Sequence, residues 1–302
     1  TLVDRLLAEG SEVDVVDDLS HGSLANLGEA RRQGRGFRFH NIDIRSDDII
    51  ELAARRRPDV IFHLAAQTSV PASVARPVED SSINVLGSLQ VLEAARSGGA
   101  PKVVYAASGG SLYGEPDEED LPVPEHAPQG PLSPYGVSKK SAIDYMIAYR
   151  HLHGLEFTAL ALANVYGPRQ DPYGEAGVVA IFAAHLVAGE PCTVNGDGLF
   201  TRDYVYVDDV VDAFVRAGRR GGGLVLNVGT GIETSVLDLY RTMARSAGVT
   251  AQPRHGPERP GDVRRSALDP DRASIHLGWK PWTPLSEGVS SVLAQAKTRA
   301  AP

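Results

Sequence analysis

Hydrophobic positions in the first ten residues recur at helical spacing: Leu2, Leu6 and Leu7 share one side, and Gly10 stops the helix. A short β-branched strand with an acidic end follows at 12–19, and a second strand at 37–44. Helical periodicity returns over 47–57, Pro58 breaks it, and an apolar strand occupies 59–66. The rhythm then repeats as helix (81–99), strand (102–108), helix (138–154) and strand (157–167). Parallel strands need long crossovers, and when helices cover both faces of their sheet they read as nearly unbroken apolar runs. The alternation predicts a doubly wound α/β domain with a parallel sheet over residues 1–167.

Beyond residue 167 the rhythm is lost. A helix is expected over 177–191, a strand and helix over 202–218, a strand over 223–229, and then a Pro/Arg-rich stretch from Pro253 to Asp269. This predicts a smaller mixed α/β C-terminal substrate domain, residues 168–302, with 203–229 returning to the first domain. The loop from Glu115 to Pro134 holds six prolines and an acidic run, so no helix is expected there. Loops this long inside compact domains usually serve function.

Composition narrows the partners. Across 302 residues, 30 Lys+Arg face 38 Asp+Glu for a net charge of -8, which gives no overall attraction to nucleic acid or anionic lipid. No apolar run nears the roughly 18 residues of a membrane span, and the first ten residues lack the layout of a signal peptide. The only cysteine, Cys192, permits neither an intramolecular disulfide nor a thiolate cluster, so a cytoplasmic, core-packed thiol is expected. His151 and His153 point to different helix faces, and no metal is expected.

The sharpest chemical signal is Tyr135 and Lys139, four apart at the start of a helix and therefore on one face. A phenol ordinarily titrates near about 10; an ammonium and a cationic nicotinamide are neighbours able to bring it near about 7, where it acts as acid and base. The alternative is a surface Tyr/Lys pair. The strand at 102–108 delivers Ser108 and Ser111 to the carboxyl edge of the sheet, where open α/β folds bind ligands. Either hydroxyl can hydrogen-bond a reacting substrate oxygen, or simply cap the turn. Asp17, at a strand end, is placed to accept from adenosine ribose hydroxyls and to disfavour a 2′-phosphate, so NAD is expected over NADP. Asp43, at the end of the next strand, can approach the adenine or be a solvated loop acid.

Taken in order, the segments Asp17–Asp18–Leu19, Asp43–Ile44, HLAA at 63–66, Asn84 to Gly87, SGGSLYG, SPYGVSK, NVYGP at 164–168, RDYVYVDD and RPGD resemble the extended short-chain dehydrogenase/reductase family, closest to its UDP-glucose 4-epimerases. The likeness covers essentially the whole chain. It implies a Rossmann domain that binds NAD over 1–167, a UDP-sugar domain over 168–302, and a homodimer through helices around 81–97 and 135–153. Tyr135 becomes the catalytic acid/base and Lys139 the residue that binds the nicotinamide ribose and depresses the phenol. Asp17, Asp18, Leu19, Asp43, Ile44, Leu64, Ala65, Ala66 and Asn84 become cofactor contacts. Asn164, Val178, Val179, Arg202, Arg259 and Asp262 become the UDP-sugar site, two guanidinium groups clamping the diphosphate.

Two departures stand out. The family's glycine-rich strand-turn-helix should precede residue 1, so the first strand of the sheet and the glycine-rich loop are expected to be missing, with weak NAD binding as the consequence. Gly109 occupies a position where many relatives have serine, so Ser111 is the first choice for the hydroxyl duty and Ser108 the second. The implied reaction is 4-epimerisation of a UDP-hexose through a 4-keto sugar. UDP-glucuronate and UDP-N-acetylhexosamine 4-epimerisation are alternatives, the latter because the small Ser266 leaves room for an acetamido group. A 4,6-dehydratase lacks its acid and base, since Gly109–Gly110–Ser111 stands where that pair belongs. A non-catalytic NAD-binding regulator would tend to lose the Tyr–Lys pair.

Overall fold

Nearly continuous apolar stretches form strands here, and their crossovers form the helices between them. The computed structural model describes residues 1–172, 177–258 and 263–300. One unit comprises Thr1–Leu112, Pro131–Ala161 and Val211–Leu226. Along the chain come α1 (Leu2–Ala8), β1 (Val13–Asp17), α2 (Gly28–Gln33), β2 (Phe37–Asn41), α3 (Asp48–Arg56) and β3 (Ile61–His63). Next are α4 (Val70–Ala75), α5 (Pro77–Ser81), α6 (Gly87–Gly98), β4 (Lys102–Ser108), α7 (Gly109–Leu112), α8 (Pro134–His153) and β5 (Glu156–Leu162).

The other unit comprises Tyr113–Gly130, Leu162–Val210 and Asn227–Pro302. It begins its regular structure with β6 (Asn164–Tyr166), α9 (Val178–Ala188), β7 (Thr193–Asn195), β8 (Thr201–Arg202) and β9 (Tyr204–Tyr206). The chain leaves it within α10 (Val207–Ala217) and returns within β10 (Leu224–Val228). It ends with β11 (Thr234–Ser235), α11 (Val236–Ala247), β12 (Arg254–Gly256), α12 (Asp271–Leu277) and α13 (Leu285–Ala300).

The strand pairing is parallel where the alternation calls for it. β1 runs parallel to β2, with Val13 opposite Phe37 and Asp17 opposite Asn41. β3 runs parallel to β4 inside a four-stranded sheet of order β10-β5-β4-β3. The expected single sheet is thus two hydrogen-bonded pieces, and β1, the strand expected over 12–19, is formed and paired with β2. An apolar cluster of Ile49 and Ala53 from α3 with Val91 and Ala94 from α6 packs with Val16 of β1 and Ile61 of β3. β4 explains its own composition: Val103, Val104 and Tyr105 are all buried.

Three local differences from the sequence reading have physical causes. The helix expected over 81–99 begins earlier and carries a π-helical turn: α5 runs without a break into the π turn at Ser82–Leu86, and that into α6. Such turns widen the helix and re-aim side chains, here that of Asn84. The helix expected from 138 begins earlier, because Ser133 caps it by accepting from the Gly136 amide at 3.2 Å and Pro134 is pre-shaped for the first turn. The proline-rich loop, expected to be free of helix, holds one 3₁₀ turn at Glu118–Asp120, too short to need an unbroken ladder.

In the second unit, Phe182, Leu186, Tyr166, Met243 and Val292 belong to one buried core joining α9, α11 and α13. Among the described residues, no helix is long and apolar enough to cross a membrane.

Candidate active site

The first turn of α8 brings the tyrosine and lysine together. Lys139 is 3 % exposed, and its Nζ donates to the Ala106 carbonyl of β4 at 2.9 Å. The same Nζ lies 5.8 Å from the Tyr135 ring centroid and 4.9 Å from that of Tyr105, cation-π distances that offset part of the cost of burying the charge. Tyr135 is half-buried; Ser108, whose hydroxyl lowers the phenol, donates its Oγ to Ser111 Oγ at 3.2 Å. Only a glycine fits at 136: a Cβ there would stand 2.6 Å from the Ser111 carbonyl, so the start of α8 lies directly on α7.

Burial dominates the electrostatics of this cluster. It pushes the Tyr135 phenol above its ordinary value, the charge of Asp80 pushes the same way, and the Ser108 hydrogen bond opposes both. Burial pulls Lys139 down to about 8, with Asp80 working against the fall. Among the chain's own groups, desolvation of the phenolate is thus the largest influence on Tyr135. Beneath the pair, His63 is buried and kept neutral, pushed down to about 3 by burial and by the Lys139 charge. Its Nε2 meets Ser88 Oγ at 2.9 Å.

The residues assigned to the cofactor divide in two. Asp17 keeps its carboxylate near the end of β1; one oxygen accepts from the Leu19 amide at 2.7 Å, and Leu19 takes a left-handed φ of 59° to allow it. A Cβ at Gly22 would sit 3.0 Å from that carboxylate, so the glycine leaves its face uncovered. Asp18 is exposed and caps Ser20. Leu64 and Ala65 are exposed and Ala66 half-buried, a bare backbone shelf after β3. Three others are already engaged. Asp43 is paired with Arg45 at 2.9 Å, which holds its carboxyl below the usual range. Ile44 is packed in the core. Asn84 is buried and clamps the shelf, its Oδ1 accepting from the Gln67 amide at 2.8 Å and its Nδ2 donating to the Gln67 carbonyl at 2.9 Å.

In the second unit, Asn164 is exposed at the start of β6, and its backbone amide donates to the Asp203 carbonyl at 2.8 Å. Arg202 donates through one nitrogen to the carbonyls of Thr201 and Val263, each at 2.7 Å. Val178 is half-buried, whereas Val179 is sunk in the core, where its side chain supports α9 instead of facing a ligand. Ser266 is half-buried. Arg259 and Asp262 lie outside the described residues. Sequence reasoning missed Asp203, a buried carboxylate that accepts from the Thr230 hydroxyl at 2.6 Å and from the amides of Thr230, Gly231 and Leu268. It also missed Asp80. Asp203 lies inside the RDYVYVDD segment and Asp80 in none of the segments named above; the role of each is recognisable only by burial.

Parallel α/β sheets with a carboxylate at one strand end, and a tyrosine next to a buried lysine at the start of a helix, are the layout of dinucleotide-dependent enzymes that move a proton with a phenol. The chain belongs to the NAD dependent epimerase/dehydratase family, whose sequence model matches residues 1–229. It is 50 % identical over 294 residues to a UDP-glucose 4-epimerase of Mycolicibacterium smegmatis, covering 97 % of this chain and 93 % of that protein. Its fold superposes with a TM-score of 0.95 on the crystal structure of UDP-glucose 4-epimerase with UDP-glucose from Thermotoga maritima, at 41 % identity and covering 99 % of this chain and 95 % of that one. The Thermus thermophilus UDP-glucose 4-epimerase in complex with NAD gives 0.90, at 39 % identity, covering all of this chain (100 %) and 95 % of that one.

Proposed function

We propose that this chain interconverts UDP-glucose and UDP-galactose by inverting C4, with NAD held through turnover. The observation that carries the reading is the buried Lys139, its Nζ 5.8 Å from the Tyr135 ring centroid, in a chain so similar to UDP-glucose 4-epimerases. The uncovered Asp17 carboxylate under Gly22 and the bare shelf at Leu64–Ala66 fit a dinucleotide: Asp17 takes the adenosine ribose hydroxyls, the shelf lies along the cofactor, and Lys139 takes the nicotinamide ribose. Asp18, Leu19, Asp43 and Ile44 line the adenosine end, and Asn84 serves by holding the shelf in place.

NAD, held by Asp17, the Leu64–Ala66 shelf and Lys139, would supply reversible hydride transfer at C4 of the sugar. Tyr135 removes the 4-hydroxyl proton and later returns it, while Ser108, with Ser111 behind it, holds the same oxygen. Between the two transfers the 4-keto sugar turns about its phosphate link. Arg202 and Arg259 clamp the diphosphate, Asp262 accepts from the uridine ribose, and Asn164 and Val178 complete the site. Gly109–Gly110 offers no acid or base for elimination, which sets the reaction apart from dehydration.

The exposed apolar side chains of Val78, Leu86, Val137, Ile147 and Leu152, on α5, the π turn and α8, fit a homodimer through a four-helix contact. A cytoplasmic location belongs to the same reading. The test is incubation with UDP-glucose, UDP-N-acetylglucosamine and UDP-glucuronate, followed by proton NMR of the anomeric signals. UDP-galactose formed without consumption of added NAD is the expected result. A 4-keto-6-deoxy product, or turnover of UDP-glucuronate alone, would overturn it.

A further inference from the structure

Lys139 poses an electrostatic problem that its immediate contacts do not solve. A lysine this buried tends to shed its proton, and a carbonyl dipole and two aromatic faces are weaker supports than a full negative charge. The groups that face it are Tyr135 on its own helix, Tyr105 on β4, His63 on β3 and Asp80 on α5. Tyr105 and His63 are buried and neutral, held so by desolvation. Asp80 alone in this set brings a negative charge.

Asp80 is 1 % exposed and its position is fixed from three directions. Ser138, the residue before Lys139, donates its hydroxyl to Asp80 Oδ2 at 2.6 Å. The other oxygen accepts from Gln67 Nε2 at 2.8 Å and from Asn84 Nδ2 at 3.1 Å. One carboxylate thus ties α5, the first turns of α8, the loop after β3 and the π turn that carries Asn84.

We infer that Asp80 is a positioning residue of this site: its buried carboxylate, locked by Ser138 and Asn84, keeps the Lys139 ammonium charged and holds the Leu64–Gln67 shelf in register with it. The inference rests on the reading above only in that Lys139 works there as a cation; its test does not depend on turnover. The same charge opposes ionisation of Tyr135, so the site accepts a less acidic phenol in exchange for a lysine that stays cationic up to about pH 8.

The chain has five lysines, so labelling the lysine ε-carbons isotopically gives a spectrum in which Lys139 is identified by its loss in Lys139→Met. In the wild-type chain its titration midpoint is expected near about 8. Asp80→Asn keeps the shape and removes the charge, and is expected to lower that midpoint by about one unit. A folded Asp80→Asn protein with an unmoved midpoint would overturn the inference, whatever its activity. Should Asp80→Asn fail to fold, the double variant with Lys139→Met is expected to restore a cooperative melt, or to raise Tm by roughly 4 °C or more over the single variant. No rescue would show that Asp80 serves local packing alone, and the inference would fall. A shifted midpoint with no epimerase activity would leave the inference standing and count against the proposed function instead.

Discussion

Ser108 Oγ donates to Ser111 Oγ at 3.2 Å, and of the two hydroxyls it is that of Ser108 that lowers the Tyr135 phenol. The strand residue acts on the phenol and the helix residue stands behind it. The sequence favours Ser111 for this duty because it counts residues back from Tyr135; the electrostatics of the folded chain favour Ser108, at the end of β4.

Ser108→Ala is accordingly expected to lower kcat by about 10²-fold, the scale of losing one well-placed donor at a developing charge. Ser111→Ala is expected to lower it less than about tenfold, since only the support behind the donor is lost. Steady-state kinetics with UDP-glucose distinguish the two, and the reverse ranking would return the role to Ser111.

Lys139 sets an alkaline limit. Its folded-state value of about 8 lies below the ordinary 10.5, so the cation and the turnover that uses it are expected to fade as pH rises through about 8. Stability has the opposite sign. Between about 8 and 10.5 the unfolded chain holds the extra proton, so this group's contribution to stability rises with pH across that window. Lys139→Met should therefore melt no lower than wild type at neutral pH while losing roughly 10³-fold in kcat, measurable by paired thermal melts and kinetics.

His63 gives the acid counterpart. Its value falls from 6.5 to about 3 on folding, so below 6.5 the unfolded chain takes up a proton that the folded chain refuses. Stability is expected to fall as pH drops through that window, by about 2 kcal/mol between pH 7 and pH 5 on the usual conversion of about 1.36 kcal/mol per unit. His63→Gln keeps a polar partner for Ser88 and cannot titrate, so urea unfolding at those two pH values should show a flatter dependence.

Asp203 anchors the strand that carries Arg202 and, through its backbone carbonyl, Asn164. Asp203→Ala leaves the amides of Thr230, Gly231 and Leu268 without their acceptor and should cost about 3 kcal/mol or more in unfolding free energy. In the folded fraction the effect should appear as a KM for UDP-glucose raised by about tenfold with a smaller change in kcat, the sign of lost binding.

The catalytic pair was legible in the sequence because four residues on a helix fix a shared face regardless of what surrounds it, and α8 puts Tyr135 and Lys139 there. Asp17 was legible for a similar reason: a strand end after a β-branched run is a local feature. Asn84 was legible as a candidate, but its clamp on the Gln67 backbone was not, because the π turn that aims it leaves no mark on the hydrophobic period.

What the chain's own order of residues determined was the alternation of helix and strand, the parallel pairing it requires, and the chemistry available at the strand ends, all of which depend on neighbours within a few turns. Tertiary structure alone decided which serine lowers the Tyr135 phenol, that Val179 serves the core, and that the phenol lies above its ordinary value. It also put Asp80 beside a lysine 59 positions along the chain. These are properties of burial and of charges meeting across elements, and desolvation acts on the folded surroundings of a group, which no local pattern encodes.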